Sequence, residues 1–467
     1  MLEQAEKAVE LAQKHGCTYC DARIETSEKH GLVIEDGQIE HILTKNEQGI
    51  GIRVLCDGAW GFYSTSDFHK LEYGIIAAIK SAKHYAVKKK DGVKLADIVT
   101  SQKKIKYKAK KQADIDSLIK IAFDCDKIIK DCKLISKSTV SASNSTTSKY
   151  LASSEGTKIQ QDFSDVIIDL VATSRQSGIT QSINTTEGGR GGLEKITEDV
   201  DIYSISGEIA KNAAMLVNAK TAKEEKATIV MNPDFVALLT HEILGHPSEA
   251  DRVLGKEMAW AGGAWWAGML GKQIGSENLN VIDDPTIEGS LGWSEFDDEG
   301  TKSQRNQLVK NGRLVDHMHS RETANIFGVR PNASMRATSY SFMPLIRMSC
   351  TCIEKGDWNP DEMIKDVKHG YLVSNMKVPS IDMKRYNWSI SCQYANRIEN
   401  GEIKEPLRDV IVVGAAPEFF DSIDACGKDF TVRPITNCGK GDPMQQMKMG
   451  NGGPSIRGTA TIKSVGG

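Results

Sequence analysis

The stretch that governs the interpretation of this 467-residue chain runs from Asn232 to Pro247 and reads NPDFVALLTHEILGHP. Asn232 followed by Pro233 is typical of a helix start, because the asparagine side chain caps the first turn and proline suits its first position. The apolar residues that follow fit helical spacing. Gly245 and Pro247 predict the helix end, since glycine loosens the last turn and proline biases its predecessor away from helical angles.

Two histidines and a glutamate near the end of this helix predict a metal site. His241, Glu242 and His246 supply two neutral nitrogen ligands and an adjacent general base. The common zinc-peptidase pattern places its histidines at i and i+4, on one helix face. Here they stand at i and i+5, about 140° apart on an ideal helix. Both can bind one ion only if the helix ends or distorts between them, and we expect His246 to lie on the chain as it leaves the helix.

A catalytic zinc site normally has a third protein ligand besides an open position. Glu249 and Asp251 are close in sequence and are candidates either as ligands or as acceptors of hydrogen bonds from the histidines. Cys438 is distant, but it lies in a glycine-rich segment that could bring a thiolate to the site. The spacing of these residues does not choose between the two possibilities.

The order of helix and strand signals predicts an α+β protein of two domains. Residues 1–220 are expected to form a mixed N-terminal domain, in which the lysine-rich crossing near residues 83–111 is a solvated connection rather than a nucleic-acid patch. Residues 227–467 are expected to form a largely antiparallel β domain that carries the metal helix. Four dipeptides predict tight hairpins: Asp36-Gly37, Asp57-Gly58, Asn311-Gly312 and Asn400-Gly401.

The composition indicates a soluble, cytoplasmic protein. The net charge of −3 and the pI near 6.4 give no general attraction to nucleic acid or to an anionic membrane. No segment is apolar over the roughly 18 residues that a membrane span needs, and the N-terminus has no signal-peptide core. The ten cysteines are therefore expected to be reduced. The pair Cys17 and Cys20 is interpreted as structural rather than redox-active.

Distinctive segments along nearly the whole chain carry a family resemblance. They are Gly49-Ile50-Gly51-Ile52-Arg53-Val54, Gly58-Ala59-Trp60-Gly61-Phe62, His241-Glu242, His246-Pro247-Ser248-Glu249-Ala250-Asp251, Ile282-Asp283-Asp284-Pro285, Phe296-Asp297-Asp298-Glu299-Gly300, Cys438-Gly439-Lys440, Gly453-Pro454-Ser455-Ile456-Arg457 and Val465-Gly466-Gly467. In these segments the chain resembles the TldD/PmbA family, specifically its metal-competent branch.

The resemblance implies a ligand set and an assembly. In this family the two motif histidines and the late cysteine bind zinc, and the motif glutamate activates water. Carried over by motif, zinc would bind to His241, His246 and Cys438, with Glu242 as the base. The family also implies a two-domain α+β architecture and dimers, some with a paralogous subunit, that enclose a chamber for small or unfolded peptides.

Several residues around the site are candidates for substrate binding. Arg336 and Arg347 match family positions, and Arg457 closes a matching segment. Each is expected to hold substrate carboxylates or main-chain carbonyls, or else structural acidic partners. The glycine-rich segment Met449–Gly453 is a candidate strand edge that pairs with an extended peptide.

Three tryptophans follow the metal helix among glycines: Trp260, Trp265 and Trp266. They predict either a mobile lid or cavity wall, or packing of the domain core or of a subunit interface. The sequence does not decide between these roles.

Zinc-dependent hydrolysis of peptides, with low sequence specificity, is the function that these observations favour. The expected partners are a peptide or unfolded protein and a second subunit, identical or paralogous, without nucleic acid or membrane. One alternative is a non-catalytic binding or regulatory protein, a role that the label "modulator of DNA gyrase" once suggested for this family. Such a protein would need neither Glu242 nor Cys438, and both are present. The other alternative is a thiol redox enzyme that uses Cys17 and Cys20.

Overall fold

The computed structural model describes residues 1–87, 91–256 and 263–464. Three lysines of the lysine-rich crossing, Trp260 and the terminal Val465-Gly466-Gly467 lie outside the described residues. The chain mixes helices with long antiparallel strands, so the predicted α+β class is confirmed. Within the described ranges, no helix combines the length and the apolar character that crossing a membrane requires.

The first half of the chain builds one seven-stranded sheet with helices packed on it. Its strands are β1 (Tyr19–Glu35), β2 (Gln38–Cys56), β3 (Ala59–Thr65), β4 (Gln102–Lys106), β5 (Ile135–Ser153), β6 (Lys158–Gln176) and β7 (Ile179–Arg190). Its helices are α1 (Leu2–Lys14), α2 (Leu71–Ala86), α3 (Ile115–Lys130), α4 (Glu194–Thr197) and α5 (Ile202–Leu216), with a single 3-10 turn at Phe68–Lys70.

The hairpins follow the predicted turn chemistry. Asp36 and Gly37, between β1 and β2, have φ angles of 49° and 84°, and Asp57 and Gly58, between β2 and β3, have 51° and 77°. Two successive positive φ angles are those of the tight turns that match strand twist. Asn311-Gly312 and Asn400-Gly401 have the same pair of positive angles, so all four predicted hairpins are present.

The second half carries the remaining strands and five more helices, counted over the described residues. The strands are β8 (Lys220–Thr221), β9 (Glu225–Met231), β10 (Val281–Asp283), β11 (Asn306–Lys310), β12 (Arg313–Leu314), β13 (Met335–Arg336), β14 (Leu345–Ile346), β15 (Cys350–Ile353), β16 (His369–Ile381), β17 (Asn387–Glu399), β18 (Glu402–Arg408), β19 (Val410–Ala415), β20 (Ala425–Cys426), β21 (Thr431–Lys440), β22 (Gln445–Gly453) and β23 (Ile456–Ser464). The helices are α6 (Pro233–Leu239), α7 (Ala250–Val253), α8 (Arg321–Phe327), α9 (Pro360–Lys365) and α10 (Ala416–Asp421).

These strands form two larger sheets around the metal helix. In one sheet, each strand pairs with the next in the spatial order β16-β9-β23-β19-β17. Because β17 also pairs with β16, these five strands form a closed ring. In the other, the order is β12-β11-β10-β15-β22-β21. Helix α6 contributes buried apolar residues, Phe235 and Val236 among them, to the main core of this half. The metal helix is therefore fixed by packing over much of its surface.

The glycine-rich segment Met449–Gly453 is not a strand edge, and this prediction is wrong. It belongs to β22, which pairs with β21 on one side and in parallel with β15 on the other. The edge of this sheet is β21 instead. Glycines are needed here for packing rather than for substrate access, since a Cβ on Gly450 would lie 2.2 Å from the Ser290 hydroxyl oxygen.

Candidate metal centre

Helix α6 begins as predicted and then changes its winding. The side chain of Asn232 accepts a hydrogen bond of 2.9 Å from the Phe235 amide, and Pro233 occupies the first turn. From Thr240 to Gly245 the chain forms one π-helical turn. Such a turn uses i to i+5 hydrogen bonds and is frequent at functional sites.

The widened turn joins the two motif histidines directly. The amide of His246 donates to the carbonyl of His241, a separation of five residues. Their rings lie with centroids 4.8 Å apart. His246 keeps helical angles, φ −58° and ψ −41°, so the expectation that Pro247 turns it away from helical backbone is wrong. The distortion that the i, i+5 spacing demands comes from widening the helix, not from ending it.

Two tryptophan side chains that follow the helix donate hydrogen bonds to main-chain carbonyls of this region. The indole of Trp265 donates to the carbonyl of Ile243 at 2.9 Å, and that of Trp266 donates to the carbonyl of Pro247 at 2.6 Å. Both tryptophans are buried in the core. Of the two roles considered for the tryptophans, these two therefore have the packing role.

Cys438 arrives from the edge strand β21 and completes the cluster. The register of β21 against β22 shifts between Ile435 and Cys438. The Cys438 sulfur lies 3.4 Å from Nε2 of His246, and single donor atoms of His241, His246 and Cys438 all lie within 4.8 Å of one another. In the described part of the chain this is the one group of three such side chains with metal-binding spacing. The structure thus brings together these three residues, and it leaves Asp251 outside the group.

Each histidine has its other ring nitrogen occupied. Nδ1 of His241 lies 3.1 Å from Oδ1 of Asn451, and Nδ1 of His246 lies 3.2 Å from Oε2 of Glu249. An amide oxygen and a carboxylate only accept, so both Nδ1 atoms carry the proton. Both Nε2 atoms are consequently unprotonated in the neutral rings and available as ligands, the arrangement typical of metal-binding histidines.

The cluster is electrostatically tuned for a thiolate. Burial raises the pKa of the Cys438 thiol, but the neighbouring His241 and His246 rings outweigh burial and hold the pKa well below its usual value. For His241, burial lowers the pKa while Cys438 raises it, and the balance lies at about 9. At neutral pH the raised pKa keeps the His241 ring protonated opposite the Cys438 thiolate. Binding of a metal would release that proton, because a ligating histidine is neutral and a ligating cysteine is a thiolate.

Buried cations hold Glu249 in its ionised form. Nζ of Lys440 lies 3.2 Å from the Glu249 carboxylate, and Nε of Arg252 lies 2.7 Å from it. Burial raises the pKa of Glu249, but Lys440 and His246 lower it well below its usual value. Lys440 also bonds to Asp251 at 2.8 Å. The Cys-Gly-Lys segment therefore places a candidate ligand at Cys438 and, two residues later, a cation that pairs with the segment after the metal helix.

Glu242 faces a cavity of about 490 Å³ that His241, His246 and Cys438 also line. Burial raises the pKa of Glu242, but the two histidines and Arg385 outweigh it and lower the pKa. A larger groove of about 1100 Å³ runs across the N-terminal sheet. Its lining includes none of the motif residues, so the smaller cavity is the one that matters for chemistry.

The three candidate substrate arginines have partners within the chain. Arg336 donates to the carbonyls of Met348 and Lys448. Arg347 is fully buried and donates a hydrogen bond to the carbonyl of Cys438. Arg457 pairs with Asp366 and Asp424 and stacks on Trp358. None of the three is among the described residues that line the 490 Å³ cavity, so the structure does not bring them to the site.

Sequence reasoning missed two residues at this site. Asn451 orients His241, and Arg385 lies 3.6 Å from Glu242. Asn451 interrupts a run of glycines, a signal that was available but was interpreted as a strand edge. Arg385 lies in a turn whose sequence carries no sign of a site.

The donor set fits a catalytic metal. Two imidazole nitrogens and a thiolate are three protein ligands, which leaves one position open as in catalytic zinc sites. The separation of 3.4 Å between sulfur and nitrogen agrees with the roughly 3.5 Å that tetrahedral zinc bonds would give. A glutamate lies on the same turn and faces the same cavity. The fold and the site therefore define a metal-dependent hydrolase.

Comparison with known proteins identifies the family. Three models match: the PmbA/TldA metallopeptidase domain 1 over residues 20–86, the central domain over 105–220 and the C-terminal domain over 224–461. A metalloprotease of Methanocaldococcus jannaschii is 31% identical, with 99% of each chain covered. A zinc metalloprotease TldD homologue of Saccharolobus solfataricus is 26% identical, with 97% of each chain covered. The chain belongs to the TldD/PmbA family, and it is a metallopeptidase.

Solved structures show the same fold at low sequence identity. TldE from Thermococcus kodakarensis superimposes with a TM-score of 0.80 at 19% identity, covering 99% of this chain and 100% of that one. A Thermotoga maritima protein, described as a candidate modulator of a DNA gyrase, gives 0.80 at 18% identity, with 98% and 99% covered. These likenesses establish the fold alone.

Proposed function

We propose that this chain is a zinc-dependent peptidase in which His241, His246 and Cys438 hold the ion and Glu242 is the general base. The observation that carries the proposal is the convergence of three ligand atoms within 4.8 Å of one another. They line the same cavity as Glu242. A thiolate with two imidazoles favours zinc over harder cations such as magnesium or calcium. When bound, zinc lowers the pKa of water and polarises a carbonyl oxygen.

The chain's own groups would move the protons. The Glu242 carboxylate is ionised, so one of its oxygens accepts a proton from water as the water oxygen attacks the peptide carbonyl carbon. The same oxygen then delivers that proton to the leaving nitrogen as the C–N bond breaks. His241 and His246 keep their Nδ1 protons, because Asn451 and Glu249 accept them in hydrogen bonds.

The cavity favours short or unfolded peptides. A volume of about 490 Å³ accommodates a few residues and no folded domain. Residues 433–439 of the edge strand β21 line it, so an extended peptide can pair with this edge through its main chain. Recognition through main-chain hydrogen bonds gives low sequence specificity.

We also propose that the chain works as a dimer, with itself or with a paralogous subunit. Residues 38–48 of β2 are all exposed, including Ile39, Ile42 and Leu43. In the part of the chain that the structure describes, β3 covers only residues 50–56 of β2, which leaves a long unpaired edge beyond them. An exposed edge with apolar side chains is a site where a second chain adds to the sheet.

The proposal places the enzyme in the cytoplasm, without nucleic acid as a partner. The ten cysteines are all described, and all are free thiols, which supports a reducing compartment. The three lysines of the short strand β4 are exposed, which supports the interpretation of the lysine-rich crossing as a solvated connection. Binding to nucleic acid would require salt-dependent affinity, measurable on a labelled oligonucleotide.

The test compares four purified proteins: wild type, Glu242→Gln, Cys438→Ala and Cys392→Ala as a control. Cys392 is buried on β17 and outside the cluster, so its variant reports the effect of losing a buried thiol. Metal content and cleavage of an unstructured peptide are measured for each. One zinc per chain is expected in wild type, Glu242→Gln and Cys392→Ala. Cleavage is expected in wild type and Cys392→Ala only.

Other outcomes contradict parts of the proposal. Full zinc content in Cys438→Ala would exclude this cysteine as a ligand. Cleavage by Glu242→Gln at the wild-type rate would exclude the base. A wild type without metal, purified in the absence of chelators, would contradict the zinc peptidase as a whole. A wild type that holds zinc but cleaves only after a paralogous subunit is added would establish the heterodimer.

A further inference from the structure

The turn between β16 and β17 is organised by one carboxylate. Asp382 accepts hydrogen bonds from the amides of Lys384 at 3.0 Å, Tyr386 at 2.9 Å and Asn387 at 2.8 Å. Its own carbonyl accepts a bond of 2.9 Å from the amide of Arg385. The turn is therefore a preformed structure rather than a loose connection, and it holds each of its residues in a defined position.

Arg385 has an unusual backbone conformation in this turn. Its φ angle is 60°, in the left-handed region that side chains with a Cβ rarely adopt. Such a conformation is energetically unfavourable and persists only where the surroundings impose it, often at functional sites. Here the Asp382 hydrogen bonds impose it. The result is that the Arg385 side chain lines the catalytic cavity beside Glu242.

The Arg385 guanidinium is close to Glu242 without being bound to it. The nearest nitrogen and oxygen are 3.6 Å apart, longer than a normal hydrogen bond. Nε of Arg385 is buried and has no hydrogen-bond partner. Across the residues that the structure describes, no side-chain hydrogen bond of normal length is made by this guanidinium. Nε is thus buried and unused, while the side chain as a whole remains 16% exposed.

Three other cations near the cavity have carboxylate or main-chain partners, although Nε of Arg347, like that of Arg385, is buried without one. Lys377, which also lines the cavity, is exposed. Arg433 makes ion pairs with Glu187 and Asp234. Lys440 is paired with two carboxylates, and Arg347 donates to main-chain carbonyls. These groups are fixed by the fold, whereas Arg385 faces the space that substrate would fill. The contrast points to a ligand atom, rather than a protein atom, as the partner of Arg385.

We propose that Arg385 is a catalytic residue that donates hydrogen bonds to the oxygen of the scissile carbonyl as negative charge develops on it. This inference rests on the proposed peptidase function and adds a residue to it. The guanidinium stays protonated and transfers no proton. The water oxygen bonds to the carbonyl carbon, Glu242 takes the water proton and gives it to the leaving amine, and the C–N bond breaks. Donors prepositioned for such charge lower the barrier because they need no reorganisation.

The experiment measures steady-state kinetics for Arg385→Met, Arg385→Lys and Lys384→Met. Lys384 is an exposed cation in the same turn, so its variant makes the matching charge change away from the cavity. Each zinc-loaded protein cleaves one peptide with a free C-terminal carboxylate and its carboxamide. The affinity of a phosphinic peptide, whose tetrahedral anion resembles the charge in the transition state, is measured in parallel. Zinc content and Tm are recorded for every variant.

For Arg385→Met we expect kcat to fall about 10²- to 10³-fold, as for the loss of one oxyanion donor. KM should stay within about threefold, since the contact strengthens only in the transition state. The phosphinic peptide should bind more weakly by a factor similar to the loss in kcat/KM. Arg385→Lys should recover part of the loss, Lys384→Met should match the wild type, and zinc content should be unchanged throughout.

Three outcomes would overturn the assignment. A loss that occurs only with the free-carboxylate peptide would show that Arg385 anchors the substrate terminus instead. A raised KM with unchanged kcat would show that Arg385 binds the substrate equally well in the ground state and in the transition state. Unchanged kinetics for Arg385→Met would show that Arg385 lies beside Glu242 without contributing to the reaction. The peptidase proposal would then remain intact. A fourth outcome would contradict the peptidase proposal and this assignment together: a zinc-loaded wild type that cleaves neither peptide, even after a paralogous subunit is added.

Discussion

Two clusters that contain cysteine, one in each half of the chain, have opposite electrostatics. In the N-terminal half, the sulfurs of Cys17 and Cys56 lie 3.3 Å apart, and Cys20 is fully buried nearby. In the metal centre, the sulfur of Cys438 lies 3.4 Å from the His246 ring. The two distances are alike, and Cys20, Cys56 and Cys438 are buried while Cys17 is half-buried. What differs is the group that each sulfur faces.

The pKa values follow from that difference. Burial is the main cause that raises the pKa of Cys17 far above its usual value, and it raises the pKa of Cys20 to about 12. Burial acts in the same direction on Cys438, but two imidazoles reverse the outcome. A buried thiol is therefore inert by default and becomes a ligand only beside a group that stabilises its charge. The comparison argues against the redox role considered for Cys17 and Cys20.

The largest expected effect comes from removing an imidazole. His241→Gln should reduce zinc affinity at least about 100-fold, since structural zinc sites derive roughly 10–16 kcal/mol from four ligands. In the metal-free variant the pKa of Cys438 should rise toward that of Cys20. Competition with a chelator measures the affinity, and the pH dependence of thiol alkylation measures the pKa. An unchanged Cys438 profile would refute the role assigned to His241.

Local sequence rules were sufficient for much of this site. The cap at Asn232, the four hairpins and the α+β class depend on neighbouring residues and on hydrophobic spacing, and the structure has them. The grouping of Cys438 with the histidines came from family motifs, because spacing alone left Glu249 and Asp251 open. Glu249 turned out to accept the hydrogen bond from His246, which is one of the roles considered for it.

The remaining features depend on contacts distant in sequence. The carbonyl of Ile243 in the π-helical turn and that of Pro247 just after it accept hydrogen bonds from tryptophans about twenty residues further along the chain. A Cβ at Gly245 would lie 2.0 Å from the Met348 sulfur, so the tight packing there comes from the segment between β14 and β15. Asn451 reaches His241 only because β22 lies between two other strands. No local pattern carries that information.

A second, smaller effect should follow from weakening the support of His246. Glu249→Gln keeps the shape but removes the charge that orients the ring, and loss of such a partner typically costs 10- to about 100-fold in metal affinity. Lys440 and Arg252 also lose a buried counterion, so Tm should fall. Chelator competition and thermal unfolding measure the two effects. Glu354→Gln, at a more exposed ion pair, is the matched control and should change neither.

A third test compares the two clusters within one protein. In metal-free wild type, Cys438 is already a thiolate at neutral pH, so its alkylation rate should be nearly flat between about pH 6 and 9. The raised pKa of Cys17 keeps it protonated over that range, so its rate should rise about tenfold for each pH unit. Peptide mapping by mass spectrometry separates the two sites. Parallel profiles would contradict the electrostatic distinction, and zinc should protect Cys438 alone.

The smallest effect on activity is expected from changes in the N-terminal cysteine cluster, for which the comparison predicts no catalytic role. Replacing Cys17 and Cys20 together by serine should leave zinc content and kcat/KM within about twofold of wild type, because neither thiol reaches the cavity. Some stability should be lost, about 1–2 kcal/mol, since Cys20 is buried and its sulfur lies 3.5 Å from the Val9 carbonyl. Urea unfolding measures that loss and peptide cleavage measures activity. If the double variant keeps its zinc and its fold but no longer cleaves the peptide, the thiol mechanism would be supported. Burial would then not have made Cys17 and Cys20 unreactive.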